Sequence, residues 1–133
     1  MANPSTGFGG VGTEVLRRSY IDGASETEAT ILTGVNNHIM TIISIIINDV
    51  SGESDNKFQL YIDYDLGGTN LMLTEQKPGA VGTFVWNDKF ILTNTDKLHI
   101  KGFSTSGTAL YDVWCTYIDQ HGWSNRKQCR CTI

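Results

Sequence analysis

Between His38 and Val50 the chain reads His-Ile-Met-Thr-Ile-Ile-Ser-Ile-Ile-Ile-Asn-Asp-Val. Six of the ten residues from 39 to 48 are isoleucine. A branched Cβ is stiff at χ1 and sits better on a pleated sheet than in a helix. A buried helix is the rival reading of an apolar run this long, but strong helix formers are missing and the strand wins. The run is also far shorter than a membrane-spanning helix. Regular alternation puts Ile39, Thr41, Ile43, Ile45 and Ile47 on one face and Met40, Ile42, Ser44, Ile46 and Asn48 on the other. Both faces are greasy, whereas a strand of an isolated two-sheet sandwich has one wet face. Met40, Ile42 and Ile46 therefore predict an outer surface that a tail, an arm or another subunit covers.

The same period of two recurs along the chain. Phe58, Leu60, Ile62 and Tyr64 alternate with Gln59, Tyr61, Asp63 and Asp65. Leu98 and Ile100 alternate with His99 and Lys101, and Tyr111, Val113, Cys115 and Tyr117 with Leu110, Asp112, Trp114, Thr116 and Ile118. Asn36-Asn37, Gly67-Gly68, Pro78-Gly79 and Asn87-Asp88 supply turns between the runs. About eight short strands at regular spacing predict an all-β fold, an antiparallel sandwich of jelly-roll-like type, over residues 14–119. Residues 1–13, with four glycines, predict a flexible arm, and 120–133 a tail able to contact a partner.

Composition limits the function. The 133 residues are one domain's worth. Net charge is −4, and only Arg126, Lys127 and Arg130 cluster as basic groups, so direct nucleic-acid binding is not expected. The opening residues lack the charged-then-apolar pattern of a secretion signal, and no membrane insertion is expected. Cys115, Cys129 and Cys131 are odd in number and read as reduced thiols made in a cytosol, with a bond from Cys115 to the tail as the minority alternative.

Chemistry finds few footholds. His38, His99 and His121 are scattered and read as surface histidines, and no nucleophile elbow is present. Asp63-Tyr64-Asp65 with Gly67-Gly68 is too short for a calcium loop. Glycines at 7, 9, 10 and 12 precede a strand instead of opening a helix, against a dinucleotide site. The expectation is therefore no catalytic residue, no metal and no cofactor. Tyr61 and Trp114 lie on faces opposite the expected core rows, where an aromatic ring can stack on a sugar or enter a subunit contact. Trp114 and Ile118 join Met40, Ile42 and Ile46 as expected interface residues.

The order of motifs carries a resemblance over residues 25–119. Ile31-Leu32-Thr33 leads through Gly34-Val35-Asn36-Asn37 into the isoleucine-rich strand. An Asp-Val-Ser-Gly turn and Phe58-Gln59-Leu60-Tyr61-Ile62 follow. Later, Phe90-Ile91-Leu92 precedes Asp96-Lys97-Leu98-His99-Ile100. This resembles small β-sandwich virion proteins of tailed bacteriophages. The resemblance implies a non-enzymatic head-decoration, tail or adaptor component. It would assemble in the host cytoplasm, reside in the virion, form a homo-oligomer and contact other capsid or tail proteins. A carbohydrate-binding module for host attachment is the alternative.

Overall fold

A computed structural model describes residues 13–64, 69–105 and 107–121. They form nine strands: β1 (Thr13–Ala24), β2 (Ala29–Thr33), β3 (His38–Asp49), β4 (Lys57–Tyr64), β5 (Thr69–Gln76), β6 (Thr83–Trp86), β7 (Phe90–Thr93), β8 (Lys97–Phe103) and β9 (Tyr111–His121). The expected arm and tail lie outside the described residues, apart from their innermost positions, which extend β1 and β9. Trp123, Cys129 and Cys131 also lie outside.

Sheet A has the order β1-β9-β3-β6, with β7 also on β3; sheet B has the order β2-β8-β4-β5. Every pairing is antiparallel. The first four strands alternate between the sheets, and the last two repeat that crossing. This is the double winding of a jelly roll. Strands β6 and β7 share one lane: β7 pairs with Ile39–Ile42 and β6 with Ile45–Asn48. The nine strands therefore fill eight lanes, as the spacing of the apolar runs predicts.

The inner faces close a core that includes Ile42, Ile45, Ile47, Phe58, Leu60, Leu92, Leu98, Ile100, Tyr111 and Cys115, all fully buried. The Phe58 ring meets the edge of Tyr111 at 5.4 Å between centroids and tilts against Phe84 at 5.6 Å, within the range where aromatic pairs attract.

The face assignment of β3 needs a correction. Ile42 pairs with Tyr117, but the next pair is Ser44 with Thr116. Ile43 is thus the extra residue of a β-bulge, and the alternation slips by one position there. Met40 and Ile42 before it and Ile45 and Ile47 after it all point into the core. Met40 and Ile42 are therefore not on the outer surface where regular alternation puts them. Ile46 is.

Two polar clusters fasten the ends of sheet A. Beyond β3, Asp49 Oδ1 accepts from the Ser51 amide (2.9 Å) and hydroxyl (2.7 Å), and Asn56 Nδ2 donates to Ser51 Oγ at 2.6 Å. Asp49 and Asn56 are fully buried, so these bonds offset part of their desolvation. At the opposite end, buried Asp119 accepts from Arg17 Nε at 3.2 Å and lies 2.7 Å from His38 Nδ1. His38 stacks on His121 with centroids 4.4 Å apart. Close backbone approach holds the β2–β3 corner: Gly34 donates to Asp96 O at 2.7 Å, and a Cβ on Gly34 would lie 2.7 Å from Asn94 O.

Candidate assembly face

The outer face of sheet A follows from register. Tyr20 pairs with Trp114, Trp114 with Ile46, and Ile46 with Val85. These four side chains form a row across the sheet, each 40–60% exposed. A second row runs Leu16, Ile118, Thr41, Ile91 by the same pairings. Between the rows lie Arg18, Thr116 and Ser44. On the far side of the first row lie Asp22, Asp112 and Asn48. Asp22 and Asp112 line one groove of about 280 Å³ together with Tyr20, Ile46, Asn48 and Trp114.

Apolar groups recur in these rows because β-branched and aromatic residues suit both faces of a sheet, and nothing among the described residues covers the outer one. Tyr20 and Trp114 stack with centroids 6.0 Å apart. The Arg18 guanidinium stands 4.8 Å from the Trp114 ring centre and 5.4 Å from that of Tyr20, a cation–π arrangement. Of the expected interface residues, Ile46, Trp114 and Ile118 come together here, with Ile118 half-buried. Tyr20, Leu16, Val85 and Ile91 sit on weaker or shorter apolar runs, and only cross-strand register reveals their membership.

Tyr61, the other aromatic singled out as a saccharide contact, lies on the outer face of sheet B but is 6% exposed. Its hydroxyl donates to Glu28 Oε2. Burial and the Glu28 carboxylate push its pKa upward, so it stays a neutral donor. The Tyr61 ring lies 5.4 Å from that of His99. His99 is 4% exposed, contrary to its reading as a surface histidine, because Tyr61 and Thr30 pack around it. Thr30 Oγ1 is 3.1 Å from His99 Nδ1, and Asp63 Oδ2 is 3.6 Å from Nε2. A hydroxyl, an imidazole and a carboxylate thus lie in line. The 3.6 Å separation is beyond hydrogen-bond length, and with His99 buried the cluster packs the outer side of sheet B.

Among the described residues, no three His, Cys, Asp or Glu side chains come together as a metal-binding set. Cys115 is free and fully buried on the core face of β9. Burial pushes its thiol up to about 12, which keeps it protonated and poorly nucleophilic. No helix among the described residues is long and apolar enough to cross a membrane.

Fold and surface together define the class of this chain as an antiparallel two-sheet jelly-roll-like sandwich with an apolar outer face on one sheet. Comparison with solved structures agrees on the fold. A chain in the structure of infectious bursal disease virus Gx strain is 9% identical over 84% of this chain, with a TM-score of 0.55. This chain spans 32% of that chain's length. A protein of Bacillus endospore appendages, described as a family of disulfide-linked pili, is 22% identical over 83% of this chain and 89% of its own, with a TM-score of 0.45. A chain of the extra small virus of the prawn Macrobrachium rosenbergii is 14% identical over 89% and 84%, with a TM-score of 0.41. No family model and no curated protein matches the sequence.

Proposed function

We propose that this chain is a non-enzymatic structural subunit that works by assembling. The particle we infer is the virion of a tailed phage, where the chain would serve as a capsid-decoration, tail or adaptor component. The single observation that carries the reading is the outer face of sheet A. Each of its two largely apolar rows crosses four strands, and the first holds two exposed aromatic rings; exposed apolar groups gathered in this way mark interaction sites. The shared fold with a chain of a virus structure is in keeping with such a role. The resemblance to phage virion proteins over residues 25–119 supports the finer assignment, including assembly in the host cytoplasm and contact with other capsid or tail proteins. Absolute mass by light scattering tests the proposal: a discrete oligomer that survives dilution is expected. A monomer at all concentrations, with no binding to particles, would sink it.

A second reading, glycan binding for host attachment, has one observation in its favour. The groove beside Tyr20 and Trp114 brings aromatic rings next to Asp22, Asp112 and Asn48, the mixture of stacking platform and acceptors that a sugar uses. Quenching of tryptophan fluorescence by a panel of oligosaccharides at millimolar concentration is its expected sign, and Trp114→Ala should abolish it.

A further inference from the structure

We infer that the partner of the sheet A face is the same face of a second copy, related by a two-fold axis lying along the row Tyr20–Trp114–Ile46–Val85. This rests on the assembly reading above and specifies its first contact. A two-fold contact is self-complementary: each residue meets the partner of the residue that meets it. A rotation of 180° about an axis along that row lays the row on itself. It also reverses position along each strand, so that a residue two places before the row faces one two places after it.

The residues at those positions are chemically matched. On β1, Arg18 and Asp22 lie two places either side of Tyr20. On β9, Thr116 and Asp112 flank Trp114 in the same way, and on β3 Ser44 and Asn48 flank Ile46. The axis therefore sets a guanidinium over a carboxylate twice, hydroxyl over carboxylate twice, and hydroxyl over amide twice. Apolar groups meet apolar groups along the axis itself. Arg18 and Asp22 are both exposed, and neither has an ion-pair partner among the described residues.

The geometry is feasible. Packed sheets stand about 10 Å apart, a gap that an arginine and an aspartate reaching from opposite sides can close. Crossing of the strands by about 30° offsets positions two residues from the axis by only a few ångströms. An axis along the neighbouring row, Leu16–Ile118–Thr41–Ile91, would also set Arg18 over a carboxylate, that of Glu14, and Thr116 over Gln120. It would leave the more aromatic row off centre and would use the half-buried Glu14 where the first axis uses the exposed Asp22.

The experiment is a charge exchange read by light scattering and analytical ultracentrifugation on the full chain. The variants are Arg18→Asp and Asp22→Arg, both at exposed positions, with far-UV circular dichroism to check the fold. Each variant alone sets like charges face to face twice. Each should weaken self-association by roughly tenfold or more. Mixed in equal amounts, the two variants restore opposite charges at both contacts, so hetero-association should return to within roughly threefold of the parent. The two-fold contact along this row is overturned if the parent associates and either variant alone fails to weaken it, or if both weaken it and the mixture does not recover. In those cases the assembly reading survives on another surface. A parent chain that is monomeric throughout overturns both.

Discussion

Single side chains set the pH range and the weak points of this fold. Tyr61, Tyr111, Tyr117 and Cys115 all have raised pKa values, with burial the first cause in each; Glu28 adds to it at Tyr61 and Asp49 at Tyr111. Each group holds its proton more tightly folded than unfolded. Their contribution to stability is therefore complete below the unfolded values, near 9 for the thiol and 10 for the phenols. It is lost as pH rises from there toward the folded values. Chemical denaturation should give a flat midpoint across neutral pH and a falling one above about pH 9. In an absorbance titration at alkaline pH, three of the five tyrosines should ionise together with unfolding. At the end of sheet A, Asp119→Ala leaves Arg17 and His38 without their shared acceptor and should cost about 1–3 kcal/mol in urea unfolding. Val81 offers a change of opposite sign. It is a β-branched residue at φ +48°, exposed in the β5–β6 turn. Val81→Asn places there a residue that tolerates the left-handed region, and should raise stability by up to about 1 kcal/mol.

At the level of strands, the bulge in β3 gives an uncommon prediction. Deleting Ile43 removes the unpaired residue and leaves Met40, Ile42, Ile45 and Ile47 on one face of a now regular strand. Deleting Ile45, two positions on, turns Ile46 inward and sends Ile47 out to solvent. The first deletion should leave a cooperatively folding protein, and the second should not; thermal melts followed by circular dichroism distinguish them. The bulge also explains what the sequence could and could not reveal. Strand positions were readable because alternation is local. The buried row Tyr111–Val113–Cys115–Tyr117 was readable too, because the irregularities in its pairing put the extra residue in the neighbours, between Ile21 and Ala24 of β1 and at Ile43 of β3, and leave β9 itself in phase. The faces of β3 were not, since one unpaired residue changes the phase without leaving a mark such as glycine or proline. His99 looked wet for a similar reason: alternation places a residue on the outer face, but only the neighbouring strands, with Thr30 and Tyr61, decide whether that face is open there. The candidate site was half legible. Ile46, Trp114 and Ile118 stood out as apolar residues off the core row. Tyr20 and Val85 could not, because their place beside Trp114 and Ile46 depends on which strands pair and in what register.

Across the whole molecule, two sheets that share a core present unlike exteriors. Sheet A carries rows of apolar groups across four strands, whereas sheet B carries Lys101, Gln59 and the Thr30–His99–Asp63 line, with its exposed apolar groups Leu71 and Met72 confined to the edge strand β5. A double change of Tyr20→Ser and Trp114→Ser should therefore lower the oligomer mass seen by light scattering without lowering the melting temperature of the monomer by more than a few degrees, since neither side chain reaches the core. The same change on the outside of sheet B should leave the mass as it was. The divided lane beside β3 has a separate consequence. An open strand edge is a template on which a stray extended chain can crystallise into fibre. Here that edge is two four-residue pieces, β6 and β7, with the Asn87-Asp88-Lys89 loop breaking the line between them. A passing strand meets too few consecutive amide and carbonyl groups there to seed growth, which leaves the longer edge strands β1 and β5 as the places where a second chain could pair.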